Sequence, residues 1–440
     1  MTIEHQNLLS TPPTADIGAR VLKKVSLRLI PFMCLLYLLG YMDRVNLGFA
    51  QSQMSAGLNF SPSVYGFGAG IFFIGYFLFE IPSNLLLEGI GARVWIARIM
   101  ITWGFVAAGM ALVRGPWSFY SLRFLLGLAE AGFFPGMVLY LSYWFPPARR
   151  ARATALFFTS TAIAGVVGGP ASGLLLSLTG VAKLAGWQWL FLVEGIPSIL
   201  VGILVYFLLT DRPAIARWLT EPERGWLTAE LARTELPPAA NAGHHRYAHL
   251  KLAFVDGRFW HLSATYFMMM IGLYGASYWM PRVIKNLTGY SDMKVGMVSA
   301  IPYALAIVGM ILIGRHSDRK NERRWHVAAS CLLSASGFAL IPLCHSFATG
   351  IGAVSLATIG IWSAIGPFWA VPGEFLHGTA AAGGIAAINS LGCLGGFVGP
   401  YLVGLLNGHS GGLASGMLMI AGALVAGAVL IVNLRQTRLN

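Results

Sequence analysis

Charged residues are scarce in this sequence. Lys, Arg, Asp and Glu together make up 11% of its 440 residues, whereas hydrophobic residues make up 56%. A soluble protein of this composition has too few polar groups to cover its surface, so the ordinary soluble class is excluded. The 53 glycines agree with this, because glycine is more frequent in membrane helices than in soluble ones. The composition therefore predicts a protein embedded in a lipid bilayer.

Cysteines and enzyme motifs are also rare or absent. The four cysteines, Cys34, Cys331, Cys344 and Cys393, form no C-x-x-C pair, and we interpret them as small core residues. The G-x-x-x-x-G-K-[ST] pattern of ATP-binding loops is absent, so nothing supports ATP-driven transport. A G-x-S-x-G pattern at 408–412 has no preceding strand that could form a nucleophile elbow. We therefore expect neither an enzyme nor a cofactor or metal site.

Long apolar stretches, by contrast, recur through the whole chain. Twelve are long enough to cross a hydrocarbon core of about 30 Å at a rise of about 1.5 Å per residue. The predicted spans are 29–49, 64–87, 95–113, 117–144, 153–177, 187–209, 259–281, 294–314, 326–345, 350–372, 379–405 and 411–433. This divides the chain into a tail (1–28), a six-helix half (29–210), a polar linker (211–258), a second six-helix half (259–433) and a C-terminal tail (434–440).

Basic residues outnumber acidic ones by 30 to 17, and their placement indicates orientation. When the loops are assigned to alternate sides of the membrane, 23 basic residues fall on one side and five on the other. Cytoplasmic loops are enriched in Lys and Arg, so we expect both termini to be cytoplasmic in a multi-pass protein of the inner (plasma) membrane. The excess charge therefore does not indicate a nucleic-acid partner. Within the linker, apolar residues at helical spacing over 221–235 predict an amphipathic helix at the cytoplasmic surface.

The loops after the second and eighth spans carry related motifs. The later loop reads GRHSDRKNERR from Gly314 and contains Asp318 and Arg319, while the earlier loop, NLLLEGIGARVW, keeps Gly91 and Arg93. The later loop resembles the G-x-x-x-D-R signature of the major facilitator superfamily, and the earlier one departs from it. The resemblance implies gating roles for Asp318, Arg319 and Arg93.

Longer segments narrow this resemblance to one branch of the superfamily. YMDRVNLGFA at 41–50 and RFLLGLAEAGFFPG at 123–136 are similar to the anion:cation symporter branch, which includes bacterial permeases for tartrate, phthalate and sugar acids. The resemblance implies an all-α membrane protein of twelve helices in two six-helix halves. It also implies a central cavity, alternating access, and uptake of an organic anion with a cation, usually a proton.

Ionisable residues deep in the predicted spans are functional candidates, because each costs about 2.5–3.5 kcal/mol on insertion scales. Asp43 and Arg44 lie in the first span, and Arg123 and Glu130 lie in the fourth. The helical rise places Asp43 and Arg123 both about 9 Å below the outer edge of the membrane.

We predict that Arg44 and Arg123 bind the substrate carboxylate, because a guanidinium group presents a planar fork of donors and stays charged. Asp43 and Glu130 are predicted to carry the coupling proton, since substrate at the arginines would weaken their opposition to protonation. The resemblance implies the same roles for an Asp-Arg pair in the first helix and an Arg with a later Glu in the fourth. The alternative is that Asp43 with Arg123, or Arg44 with Glu130, form structural ion pairs.

Other polar and aromatic residues in the spans are weaker candidates. We expect Glu80, near the cytoplasmic end of the second span, to take part in gating or transport, and Glu194 to pair with a basic residue of a loop. The candidate substrate contacts outside the arginines are Tyr41, Tyr76, Trp369, Asn389 and Ser390.

Together these features predict a monomeric secondary active transporter that imports an organic carboxylate, such as a sugar acid, a tartrate-like acid or an aromatic acid, by proton symport. Its expected partners are the small organic anion and the lipid bilayer. A carboxylate exchanger or a drug-type exporter of the same fold remains an alternative, because a G-x-x-x-G-P motif at 165–170 resembles one common in antiporters. A membrane sensor or an intramembrane enzyme is a more remote alternative.

Overall fold

A computed structural model of the chain describes residues 13–234, 256–374, 379–408 and 412–434. These residues form an all-helical protein. The first half of the chain contains α1 (Pro13–Leu58), α2 (Pro62–Ile90), α3 (Ala92–Gly109), α4 (Pro116–Glu130), α5 (Phe133–Ser142), α6 (Pro147–Leu176), α7 (Gly186–Leu208) and α8 (Glu221–Thr234). The second half contains α9 (Gly257–Thr288), α10 (Asp292–Lys320), α11 (Arg324–Leu340), α12 (Phe347–Ala370), α13 (Thr379–Cys393), α14 (Gly395–Asn407) and α15 (Gly412–Val432).

Eleven segments of the described chain are long and apolar enough to cross a membrane, which makes this a multi-pass membrane protein. They are 17–58, 62–90, 92–112, 116–142, 159–176, 186–208, 292–320, 324–343, 347–370, 384–407 and 412–432. Each overlaps one of the predicted spans. Helix α9, at the position of the predicted seventh span, has 32 residues but is less apolar, because tyrosine, tryptophan, serine and threonine are interspersed along it.

The predicted fourth span is broken in its middle. Helix α4 ends at Glu130, and α5 begins at Phe133 after Gly132, which has a φ of +81°. Glycine adopts this left-handed backbone conformation readily, whereas other residues are strained there. Pro135 lacks an amide hydrogen and cannot donate to the carbonyl of Ala131, so the break cannot close into regular helix. The predicted span at 379–405 is likewise two helices, α13 and α14, separated at Leu394.

The predicted N-terminal tail and linker both contain helix. Helix α1 already begins at Pro13, so the described part of the tail is helical and continues into the first span. Helix α8 occupies 221–234, where the linker helix is predicted, and it packs on the start of α1. The Lys24 ammonium donates to Glu223 Oε2 at 2.7 Å across this contact. The rest of the linker (235–255), the C-terminal tail from 435 and residues 409–411 of the G-x-S-x-G pattern lie outside the described residues.

The two halves pack closely where glycines face backbone. A Cβ atom on Gly66 of α2 would lie 2.5 Å from the carbonyl oxygen of Pro400 in α14. A Cβ atom on Gly169 of α6 would lie 2.6 Å from the carbonyl oxygen of Gly296 in α10. Small residues permit such close approach of helices, which is how membrane helices associate without a hydrophobic driving force. The halves therefore touch along α2–α14 and α6–α10, and a cavity lies between them.

Candidate functional site

Buried charge is confined to the N-terminal half of the described chain. Six charged side chains are buried there, namely Asp43, Arg44, Glu80, Arg123, Glu130 and Glu194, and the described C-terminal half buries none. The C-terminal half instead contributes aromatic rings, hydroxyl groups and the Asn389 amide. The site is therefore asymmetric, with ionic chemistry on one side and aromatic and neutral polar groups on the other.

Arg44 and Glu130 form the central ion pair of the site. Arg44 Nε donates to Glu130 Oε1 at 2.7 Å, and Arg44 Nη2 lies 2.5 Å from the same oxygen. Neither Arg44 Nη2 nor Glu130 Oε2 has a well-aligned hydrogen-bond partner among the described residues. The guanidinium fork is thus incompletely used. Glu130 is also the last residue of α4, and a negative charge is disfavoured at a helix C-terminus unless a cation compensates it.

The remaining contacts of Arg44 come from aromatic residues. Its Nη1 donates to the Tyr274 hydroxyl of α9 at 3.2 Å, which ties the ion pair to the other half of the protein. Its Cζ lies 5.5 Å from the ring centroid of Phe72 and 5.3 Å from that of Tyr76. Such ring contacts stabilise a desolvated cation.

Arg123 is bound by backbone carbonyls rather than by a carboxylate. Its Nε donates to the carbonyl of Gly68 at 3.3 Å, and its Nη2 donates to that of Ala69 at 3.1 Å and to the Tyr278 hydroxyl at 3.5 Å. Its Cζ lies 4.8 Å from the centroid of the Phe72 ring, which therefore contacts both buried arginines. Arg123 has no carboxylate partner among the described residues.

Asp43 faces away from Arg44, towards α3. Its carboxylate accepts a hydrogen bond from the Trp103 indole nitrogen. Asp43 and Arg123 both belong to the described chain, and no ion pair joins them. Of the two predicted alternative ion pairs, the structure contains Arg44 with Glu130 only.

Glu80 bridges the two halves of the protein. Its Oε1 accepts from the Asn389 amide at 2.7 Å, and its Oε2 accepts from the Ser390 hydroxyl at 2.5 Å. Asn389 and Ser390 were predicted as substrate contacts, and in this structure both donate to the α2 carboxylate. The two hydrogen bonds join α2 of the first half to α13 of the second, and the gating role of Glu80 stays a prediction.

A cavity lies between the halves beside the ion pair. The volume of this cavity is about 80 Å³. Five of the predicted substrate contacts line it: Tyr41, Arg44, Tyr76, Trp369 and Asn389. Arg123 and Ser390 are not part of the lining. Further aromatic lining residues are Tyr37, Phe134, Tyr266, Tyr274 and Trp362.

The tyrosines of α9 were not predicted from the sequence. The Tyr274 hydroxyl accepts from Arg44 and the Tyr278 hydroxyl accepts from Arg123. They are four residues apart, so they lie on one face of α9. Their signal was in the sequence, because aromatic hydroxyl groups repeated at helical spacing inside a membrane span are expected to face protein rather than lipid.

The predicted gating residues lie at the helix ends. Arg323 Nη1 lies 2.8 Å from Asp318 Oδ1 at the end of α10, whereas Arg319 is exposed. The backbone amide of Arg93 donates to Asp211 Oδ1 at 2.8 Å, and its guanidinium Cζ lies 5.2 Å from the Tyr206 ring centroid. These contacts join neighbouring loops, and the gating roles stay predictions.

Comparison with known proteins gives a consistent result. Residues 33–400 match the Major Facilitator Superfamily. A protein of Agrobacterium vitis named "Putative tartrate transporter" is 48% identical over 423 residues, 96% of each chain. A "Quinolone resistance transporter" of Acinetobacter baumannii is 41% identical over 415 residues, 94% of this chain and 95% of that protein.

Solved structures agree on the fold. The xylose transporter XylE from E. coli, in a partially occluded inward open conformation, superimposes with a TM-score of 0.73. The match covers 95% of this chain and 99% of that one at 15% identity, so it concerns the fold alone. Because the family match spans most of the sequence and the named relatives are transporters rather than enzymes, the chain belongs to the major facilitator superfamily of membrane transporters.

Proposed function

We propose that this transporter imports an organic carboxylate anion together with a proton, by alternating access. The observation that carries the proposal is the incomplete Arg44–Glu130 ion pair at the wall of the central cavity. A substrate carboxylate has two oxygens in one plane and can use the guanidinium fork more fully than Glu130 does. The relative named for tartrate supports an organic acid as substrate.

Competition for Arg44 couples substrate to proton. When the substrate carboxylate binds Arg44, Glu130 loses its cation at the C-terminal end of α4. An unpaired carboxylate in a low-dielectric site is costly, so Glu130 then takes up a proton. Substrate and proton binding favour each other, and the coupling is reciprocal. Asp43 is the second proposed proton-carrying residue, and Arg123, which has no carboxylate partner among the described residues, is the second proposed substrate cation.

The rest of the substrate would lie against the C-terminal half. The aromatic lining from Tyr266, Trp362 and Trp369 offers flat apolar surfaces, and the tyrosine hydroxyls and Asn389 offer hydrogen bonds. A sugar acid or a tartrate-like acid combines a carboxylate with hydroxyl groups, which match these hydrogen bonds. An aromatic acid combines a carboxylate with a flat apolar ring, which matches the aromatic surfaces.

The proposed topology has twelve spans, with both termini in the cytoplasm. The protein is proposed to be a monomer in the inner membrane. Helix α9 is the proposed seventh span. Twenty of its 32 residues are buried inside the protein. Because these side chains face neighbouring helices and not lipid, the helix can contain polar residues and still be a membrane span. The basic residues clustered on one side of the membrane support this orientation.

Transport in proteoliposomes tests the proposal. Labelled tartrate, gluconate and benzoate are offered with the outside acidic, and the wild type is expected to accumulate at least one of them. Arg44→Ala should reduce uptake at least about 100-fold, and Arg44→Lys about tenfold, because lysine keeps the charge but loses the fork. Arg114→Ala, in an exposed loop, is the matched control. Absence of accumulation of every acid, with and without the gradient, would refute carboxylate symport.

A drug-type exporter is the second candidate, favoured by the relative named for quinolone resistance. The same vesicles distinguish it. An exporter exchanges its substrate for protons, so a labelled quinolone would accumulate only when the vesicle interior is acidic. A symporter, by contrast, accumulates its substrate when the solution outside the vesicles, which contains the substrate, is the acidic one.

A further inference from the structure

Glu194 is a buried acid that the proposed transport cycle does not yet use. It lies eight residues after the start of α7, or about 12 Å into that helix, and its exposed fraction is 7%. Neither of its carboxylate oxygens has a hydrogen-bond partner among the described residues. The predicted pairing with a basic residue of a loop is therefore wrong, because Glu194 faces the interior from the middle of its helix rather than from its end.

The ionisable neighbour of Glu194 is Asp43. Helices α1, α3 and α6 pack against α7. Trp103 of α3 donates to Asp43 of α1, and the next residue of α3, Gly104, packs against Gly195 of α7, so α3 brings Asp43 and Glu194 near each other and their charges interact. Gly104 of α3 lies at the same depth in the membrane as Glu194, because a Cβ atom on Gly104 would lie 2.7 Å from the carbonyl oxygen of Gly195. The nearest cation of that helix, Arg98, is six residues away, or about 9 Å along the axis.

The other elements around Glu194 supply no charge at its level. Helix α6 contacts α7 near its C-terminal residue Leu176, whose carbonyl oxygen would lie 2.1 Å from a Cβ atom on Gly186. The described basic residues of α6 lie at the N-terminal end of that helix, away from this contact. On α7 itself, Tyr206 is the other titratable side chain and lies twelve residues further on, about 18 Å along the axis. Glu194 and Asp43 thus form a pair of buried acids, of which Asp43 also interacts with the charges of Glu130 and Arg123.

Two carboxyl groups in such a site cannot both be ionised. An ionised carboxylate that is buried without a partner is strongly disfavoured, and a nearby like charge adds to the penalty, so one of two such carboxyl groups stays protonated. Asp43 has one stabilising donor, the Trp103 indole, and Glu194 has none. The proton of the pair is therefore held by Glu194 when Asp43 is ionised.

We propose that Glu194 is a third proton-binding residue of this transporter, whose proton occupancy is coupled through charge to that of Asp43 behind the substrate cavity. Glu194 does not line the cavity, so it acts through Asp43 and not on the substrate. The inference rests on the proposed proton-coupled transport and extends it from α1 to α7. It adds a proton site on α7 that stays inside the protein while the cavity changes its side of access.

The test is the pH dependence of uptake in Glu194→Gln. Removing the like charge makes Asp43 easier to ionise, so the midpoint of the pH profile of gradient-driven uptake should move by about one pH unit to more acidic values, a tenfold change in proton affinity. Counterflow at equal pH, which needs no net proton movement, should stay within about twofold of wild type. Glu194→Asp should restore the wild-type midpoint in part. Ser198→Ala, one turn further along the same buried face, is the matched control and should leave it unchanged.

A measurement on the unaltered protein covers the case in which Glu194→Gln does not fold. Dicyclohexylcarbodiimide, which labels protonated carboxyl groups in apolar sites, is applied over a pH series, and labelling at Glu194 is quantified by mass spectrometry. Labelling that falls as the pH rises supports the proposal, and labelling that is constant with pH overturns it. An unchanged midpoint in Glu194→Gln beside a proton-coupled wild type also overturns it. If the wild type itself shows no gradient-driven uptake, the proposed function fails instead.

Discussion

Replacing Glu130 with Gln should uncouple one proton from transport while leaving substrate binding intact. In the structure, Glu130 occupies Arg44 through one oxygen, at 2.7 Å from Nε and 2.5 Å from Nη2. Glutamine has nearly the same shape and can still accept a hydrogen bond from Arg44, but it neither competes as an anion nor takes up a proton. Substrate should therefore bind more tightly, and binding should no longer draw in the proton that Glu130 carries.

The magnitude of both effects follows from the contacts. A charge-assisted hydrogen bond contributes about 1.5–3 kcal/mol, and because glutamine keeps part of it, we expect about tenfold tighter binding at neutral pH. One pH unit corresponds to about 1.4 kcal/mol per coupled proton, which is a tenfold accumulation. Loss of one proton per cycle should thus lower the accumulation ratio about tenfold at a gradient of one pH unit. The stability loss should stay below the 3–5 kcal/mol of a broken buried ion pair, because the amide oxygen and the Tyr274 hydroxyl still contact Arg44.

The assay is steady-state accumulation in proteoliposomes at several imposed pH gradients. The slope of the logarithm of the accumulation ratio against the gradient gives the number of coupled protons. That slope should fall by one in Glu130→Gln, while counterflow persists. Glu221→Gln, an exposed acid of the linker helix, is the control and should keep the wild-type slope. A wild-type slope in Glu130→Gln would refute the coupling role and would favour a structural ion pair.

Three further outcomes are expected. Glu80→Gln weakens the bridge between α2 and α13, so counterflow should slow about tenfold while thermal stability changes little. Gly127→Ala should lower stability by about 1–3 kcal/mol, read as a lower melting temperature, because its Cβ would lie 2.0 Å from a carbonyl oxygen of α2; Gly115→Ala, with nothing within 4 Å, should not. The hydrogen bond from Lys24 lowers the pKa of Glu223 below its usual 4.5, so this contact stabilises the docked α8 above that pH and is lost as the pH falls through the lowered value. The protection factors of the α8 amides, which correct hydrogen exchange for the pH dependence of its intrinsic rate, should therefore fall at acidic pH and in Lys24→Ala at neutral pH.

The sequence predicts well which residues are buried, because burial follows from one-dimensional features. Apolar length places the helices, and the high insertion cost of a charge marks Asp43, Arg44, Arg123 and Glu130 as exceptional. All four are buried in the structure. Helix breaks were missed, although the local signal was present: a glycine followed three residues later by a proline, as Gly132 is by Pro135, is a known place for a helix to stop.

Side-chain partners were less predictable, because depth along a helix does not fix its rotation or its neighbours. Asp43 and Arg123 lie at similar predicted depths, yet Asp43 accepts from Trp103 and Arg123 donates to carbonyls of α2. Tyr274 reaches Arg44 only because α9 packs against α1, a contact between residues 230 positions apart in the chain. Such long-range contacts depend on how the two halves pack, which neither periodicity nor spacing encodes.

The charge balance of the N-terminal half gives an independent reason to expect proton coupling. Four buried acids face two buried arginines, so the described site carries an excess of two negative charges unless protons are bound. Glu80 is held by two neutral donors and Glu194 by none, which leaves those acids without a cation among the described residues. A carboxylate substrate adds a further negative charge to the same low-dielectric region, and the arginines cannot supply more positive charge because they are already fully protonated. Proton binding offsets the added charge, so the arrival of an anionic substrate at Arg44 should raise proton occupancy at these acids whichever of them takes the proton first.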